Sequence, residues 1–248
     1  AWCLVPRAGA KCQVIYAAFL IGSLLSSACQ RGPAPADPGT FGELDPAVAE
    51  LLNELTAGVN ADRSDAARWG RLAMGLEANG LLVQAAENYA VAVGLDGNEP
   101  RWSYQLAILK ARRGEVDAAL ADLDRVIHLA PGYAPARWRQ GLWWLDRADI
   151  AKAQAAFAAA VQAAPTDPAG HTGLALVHLS KREDAQAAAA LETLLTTHPG
   201  DRYALQLLGT AYRRLGRDND ARFALTVGST GQPSWTDPWS DESRGPCR

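Results

Sequence analysis

Apolar positions along the chain follow a helical spacing and, over a longer range, a period of 34 residues. Steps of that length pass through Ala73, Ala107, Gly141, Ala175 and Gly209, all Ala or Gly. A second column holds Ala85, Ala119, Ala153, Ala187 and Ala221, and a third holds Tyr89, Leu123, Phe157, Leu191 and Leu225, all large and apolar. Pro131, Pro165 and Pro199 close three successive units. Residues 134–165 show the unit in full: two short amphipathic helices joined at Arg147-Ala148-Asp149. A fixed period of this length predicts stacked copies of one helix pair, each unable to bury its apolar face alone. The units are expected at about 66–99, 100–133, 134–167, 168–201 and from 202 onward.

Local signals agree with the phase. Asp45-Pro46 predicts a helix start, with Asp as cap and Pro in the first turn, and Val48, Leu51, Leu52 and Leu55 then follow at helical spacing. This extra helix is expected to cover the open end of the first unit. Asp167-Pro168 and Asp201 mark the starts of the fourth and fifth units. Gly80, Gly114 and Gly216 fall at the turn inside three units, where a positive φ is easiest without a Cβ. After Val227 comes GSTGQPSWTDPWSDESRGPCR, too rich in Gly, Pro and Ser to predict a helix. Trp235 and Trp239 are expected to fold back on the last helix, because exposed tryptophans in a free tail would be unusual.

These residues resemble the tetratricopeptide repeat, whose pattern is W-x2-L-G-x2-Y, then A-x3-F, then P. The first unit supplies Trp69, Leu72, Ala73, Leu76, Ala85 and Tyr89; the third supplies Gly141, Trp144, Ala153, Phe157 and Pro165. The fourth keeps Leu174, Ala175, Ala187, Leu191 and Pro199, and the fifth Leu205, Leu208, Gly209, Tyr212, Ala221 and Leu225. The second is loosest, with Ser103 and Lys110 at aromatic positions. The resemblance implies an all-α fold, a right-handed superhelical solenoid of about five helix pairs over 66–228. It also implies a concave groove, lined by the first helix of each pair, that binds an extended peptide or a partner helix. Carried over by position, the groove candidates are Arg71, Arg101, Tyr104, Gln105, Trp138, Arg139, Gln206 and Arg213. Met74, Ile108, Leu142, Thr172, Leu176, Leu179, Tyr203 and Thr210 lie beside them. Arginine forks suit carboxylates, so the expected partner is an acidic or amphipathic protein segment. The Lys and Asn of the carboxylate clamp that some relatives use on chaperone tails are absent at these positions.

The first residues carry a different pattern. Arg7 and Lys11 precede an apolar run from Val14 to Leu25, which leads into Ser26-Ser27-Ala28-Cys29. Basic flank, apolar stretch and small residues make an export signal, and the run is shorter than the roughly 20 residues needed to span a bilayer. The small residues ending in cysteine resemble a bacterial lipoprotein signal, which implies cleavage before Cys29 and its acylation. Ser26 departs from the leucine usual there, and Gln30 would favour outer-membrane delivery. The expected organisation is a signal peptide at 1–28, a flexible tether at 29–44, a helix and linker at 45–65, the repeats at 66–228 and an irregular tail at 229–248. The implied location is the periplasm, anchored to the outer membrane, with secretion or inner-membrane anchoring as the alternatives.

Composition adds mainly exclusions. A formal net charge of -3 gives no reason to expect nucleic-acid binding. The four cysteines, at 3, 12, 29 and 247, lie outside the repeats and form no C-x-x-C. His171 and His178 share a helix face but occupy framework positions equivalent to Trp69 and Leu76, so packing or capping is expected there rather than a metal. G-x-S-x-G, P-loop and H-E-x-x-H motifs do not occur. No cofactor, metal or small-molecule substrate is expected. The sequence thus points to a non-enzymatic protein-interaction scaffold. The alternative is an accessory domain of an enzyme or electron-transfer system whose chemistry lies in a further C-terminal segment or a partner subunit.

Overall fold

The computed structural model describes Phe41, Gly42, residues 44–233 and residues 235–243, and these are helical with short connections. The expected signal peptide, Cys29 and most of the expected tether lie outside the described residues. No helix among the described residues is long and apolar enough to cross a membrane.

Helix α1 (Pro46–Ala61) precedes five helix pairs: α2 (Ala66–Ala78) with α3 (Leu82–Leu95), α4 (Pro100–Arg112) with α5 (Val116–Leu129), α6 (Ala134–Asp146) with α7 (Ile150–Ala163), α8 (Pro168–Ser180) with α9 (Asp184–Thr197), and α10 (Arg202–Arg214) with α11 (Asp218–Val227). The first helix of every pair has 13 residues and begins 34 residues after the previous one. The helices of each pair pack on one another, the second helix of each of the first four pairs packs on the next pair, and α6 also touches α8, as α8 touches α10. The result is an all-helical solenoid of the expected kind.

The three periodic columns explain the stacking. Ala73, Ala107 and Ala175 are fully buried, and so are Ala85, Ala119, Ala153 and Ala187. Small side chains at these crossings let the backbones approach, while Tyr89, Leu123, Phe157 and Leu191, also fully buried, fill the space between units. Phe157 shows how tight the fit is. A Cβ added to Gly141 would meet its ring at 2.8 Å, and one added to Gly173 would meet it at 2.0 Å. Helix α1 covers the first unit as expected, with Leu52 and Val59 joining Trp69, Leu72, Leu76 and Tyr89 in one core cluster.

Caps and turns repeat with the same period. Asp65, Glu99, Asp167 and Asp201 each accept a hydrogen bond from a first-turn N–H of α2, α4, α8 and α10. Tyr133, at the same place before α6, caps nothing with its side chain. Inside every pair the first helix ends with a left-handed residue: Gly80, Gly114, Ala148, Arg182 and Gly216, with φ of 79°, 84°, 58°, 61° and 74°. The N–H after each donates back five residues, from Leu81 to Leu76, Glu115 to Lys110, Asp149 to Trp144, Glu183 to His178 and Arg217 to Tyr212. This arrangement satisfies carbonyls the helix end would leave exposed.

The tail departs from expectation. Residues Pro238–Ser243 form a short helix, α12, which packs against α2 and α4 rather than against the last helix. Asp237-Pro238 starts it, the same cap-and-proline signal that opens α1 and α8. Trp239 and Trp235 join the core clusters built around Tyr104 and around Trp138 and Phe157.

A carboxylate site on the first-helix face

Side chains on the first helices and the loop before α6 build a site around Asp237. Tyr104 on α4 donates its phenol to Asp237 Oδ2 at 2.7 Å, and Tyr133 donates to Oδ1 at 2.7 Å. Arg139 on α6 donates from Nη2 to the same Oδ2 and from Nε to the Tyr104 oxygen at 2.9 Å. Both carboxylate oxygens are therefore held, and the Asp237 side chain is only 6% exposed. Burial pushes its acidity down, but the Arg139 charge and the donors from Tyr133, Tyr104 and Arg139 outweigh that and hold the carboxyl below its ordinary range. Burial raises the Tyr104 and Tyr133 phenols well above their usual value, so both stay protonated donors. The three donors come from two helices and a loop of two different units, so only the stacked fold assembles them.

Aromatic rings frame the carboxylate. Trp239 stacks on Tyr133 with centroids 3.5 Å apart and planes 13° apart, and meets Tyr104 edge-on at 5.6 Å. Trp235 meets Trp138 edge-on at 5.0 Å and Tyr203 of α10 at 6.3 Å. The Arg139 guanidinium lies 4.8 Å from the Trp138 ring centroid, a stacked cation that still directs Nη2 at Asp237 and Nε at Tyr104. Main-chain bonds complete the seat: Gln105 donates to the Trp239 carbonyl, and the Trp239 N–H donates to the Tyr133 oxygen at 3.1 Å.

Of the positions singled out in the sequence, Arg101, Tyr104, Gln105, Trp138 and Arg139 all touch the tail. Arg101 pairs mainly with Glu99 at 2.9 Å and reaches Glu242 at 3.7 Å. Arg71 and Met74 line a cavity of about 280 Å³ with Leu51, Leu55, Trp102 and Glu242, the last from the end of α12. Thr172 is fully buried on α8. Gln206 and Arg213 lie farther along on α10, where the backbone of Gln206 approaches Gly228. Tyr133 and Asp237 were not among the sequence candidates. The signals were present, an aromatic where other units carry an acidic cap and an Asp-Pro pair in a supposedly irregular tail.

The tail reaches this face by a close passage over α10. A Cβ on Gly231 would lie 2.4 Å from the backbone carbonyl of Arg202, and one on Gly228 would lie 2.6 Å from the Gln206 nitrogen. Arg202 in turn donates to the Val227 carbonyl at 3.2 Å, fixing the turn at the end of α11.

His171 and His178 have structural partners. His171 Nε2 lies 2.9 Å from the Pro165 carbonyl, six residues back, and Trp69 and Arg137 at equivalent positions reach the Arg63 and Pro131 carbonyls the same way. His178 Nδ1 lies 2.7 Å from Glu183. The position thus ties three of the five first helices to the preceding loop.

No protein-family model matches the sequence, and no curated protein sequence does either. Among solved structures, a tetratricopeptide repeat protein from Parabacteroides merdae is similar with a TM-score of 0.66 at 17% identity, over 79% of this chain and 78% of that one. YrrB, described as a TPR protein with an unusual peptide-binding site, is similar with a TM-score of 0.58 at 15% identity, over 74% of this chain and 94% of its own. PilF of Pseudomonas aeruginosa is similar with a TM-score of 0.60 at 17% identity, over 70% of this chain and 78% of its own. Likeness at these identities defines the fold, which is that of the tetratricopeptide repeat solenoids.

Proposed function

We propose that the protein is a non-enzymatic interaction scaffold whose first-helix face takes an acidic segment of a protein partner. The observation that supports this reading is the seating of residues 235–243 on that face, with the Asp237 carboxylate held by Tyr104, Tyr133 and Arg139. The same surface offers Arg71 and Arg101 at one end, which extends its preference for negative charge. On this reading the chain is exported and acylated at Cys29, which places the scaffold in the periplasm on the outer membrane. The basic flank, apolar run and small residues before Cys29 support that location.

Affinity capture from a membrane extract tests the scaffold. The bait is the full chain carrying Trp235→Ala and Trp239→Ala, compared with the same chain that also carries Arg101→Ala, Tyr104→Ala and Arg139→Ala, both checked for helical content. Proteins retained only by the first bait are groove partners, and identical lists would remove the groove from the function. Labelled palmitate should enter the wild type and not Cys29→Ala; incorporation into both would overturn the anchor.

A further inference from the structure

Resting on that reading, we infer that the groove recognises a segment of the form aromatic–x–carboxylate–x–aromatic, and that residues 235–243 are a tethered competitor the partner must displace. Trp235-Thr236-Asp237-Pro238-Trp239 fills three seats at fixed spacing. One is the Trp138–Tyr203 surface, one the Tyr104–Tyr133–Arg139 carboxylate site, and one the Tyr133–Tyr104 ring pair. The middle seat uses both oxygens of a nearly buried carboxylate, so it selects an acid rather than merely tolerating one.

The hold is suited to exchange. Helix α12 has six residues, far too short to be stable without the face it sits on. A tether gives such a weak segment a high local concentration, so it can occupy the groove without high intrinsic affinity. The fit is also incomplete: the indole N–H groups of Trp138 and Trp235 and the Thr172 hydroxyl lack a hydrogen-bond partner among the described residues. The cavity between Arg71, Met74, Trp102 and Arg101 meets the tail at Glu242. A longer partner segment can reach the unpaired Trp138 donor and fill more of that cavity, where the tail places only Glu242.

The test uses a fluorescent synthetic peptide with the sequence of residues 232–243, read by anisotropy. Its hosts are the full-length wild type and the full-length Trp235→Ala/Trp239→Ala chain, whose own tail is released. The released chain should bind the peptide at least about ten-fold more tightly than the wild type, since its groove is open. A second peptide with Asn at the position of Asp237 should bind the released chain about ten-fold or more weakly than the native one, the range of a charge-assisted hydrogen bond. Because the change lies in the peptide, host folding does not enter. Equal affinity of wild type and released chain would overturn the competitor role, and equal affinity of the two peptides would overturn the carboxylate preference. Either result leaves the scaffold reading to its own capture experiment. Failure of the released chain to bind either peptide would overturn the inference as a whole.

Discussion

The Tyr133 phenol donates to Asp237 at 2.7 Å, joining residues 104 apart in the chain. Four other units place Asp or Glu at the position of Tyr133 and cap their first helix with it. The third unit gives up its cap, and the side chain faces the groove instead. Tyr133→Phe should therefore loosen the tail by about 1–3 kcal/mol, leaving the array intact. Hydrogen exchange at residues 235–243 against that of the repeat helices reports the difference. Tyr133→Asp should do the opposite to the array, adding a cap of about 1 kcal/mol while releasing the tail.

The acid dependence of the tail follows from Asp237. Its carboxyl titrates below the ordinary value of 3.8 when docked, because Arg139 and its donors outweigh burial. A depressed folded-state value means the stabilisation is fully present above 3.8 and is lost as pH falls below it toward the docked value. Tryptophan emission should show tail release at acidic pH in the wild type, and Asp237→Asn should show no such step. A wild-type step at neutral pH would contradict the assignment.

Gly231 sets the route of the tail. A Cβ there would overlap the Arg202 carbonyl. Gly231→Ala should shift the tail and weaken its docking by about 1–3 kcal/mol, with little effect on the melting of the repeats. Fluorescence quenching of Trp235 and Trp239 gives the readout.

The slot for Phe157 sets the fit of the third unit against the fourth. Gly173→Ala pushes a methyl into the ring, and Ala153→Leu overfills the crossing beside it. Each should cost about 1–3 kcal/mol in denaturant unfolding. A wild-type midpoint for both would contradict the phase of the repeat.

Ala148 holds a left-handed backbone where three other units use glycine. The strain relieved in Ala148→Gly exceeds the extra freedom glycine gains on unfolding, so stability should rise by up to about 1 kcal/mol. Gly114→Ala should lower it, and thermal melts of the two variants should move in opposite directions.

The array was legible because its signals are local. Small residues at two crossings and a large apolar residue between units recur every 34 residues, acidic caps open four of the five units, and each follows from helix geometry. The positive φ at Gly80, Gly114 and Gly216 was readable for the same reason, whereas Ala148 and Arg182 adopt it only because the hairpin imposes it. In the tail, composition and position point in opposite directions. Gly, Pro and Ser around Trp235 argue against a helix, yet Asp237-Pro238 repeats the start signal of Asp45-Pro46 and Asp167-Pro168. Its resting place depends on Tyr104, Tyr133 and Arg139, whose convergence no local pattern encodes.

In a stack whose hairpins touch only their neighbours, fraying starts at an end and proceeds one unit at a time. The seated tail breaks that rule, since α12 reaches α2 and α4 while Trp235 lies against Trp138 and Tyr203. It acts as a strut between distant hairpins, so seating it should merge their melting steps into one, and releasing it should hand the ends of the molecule back their independence.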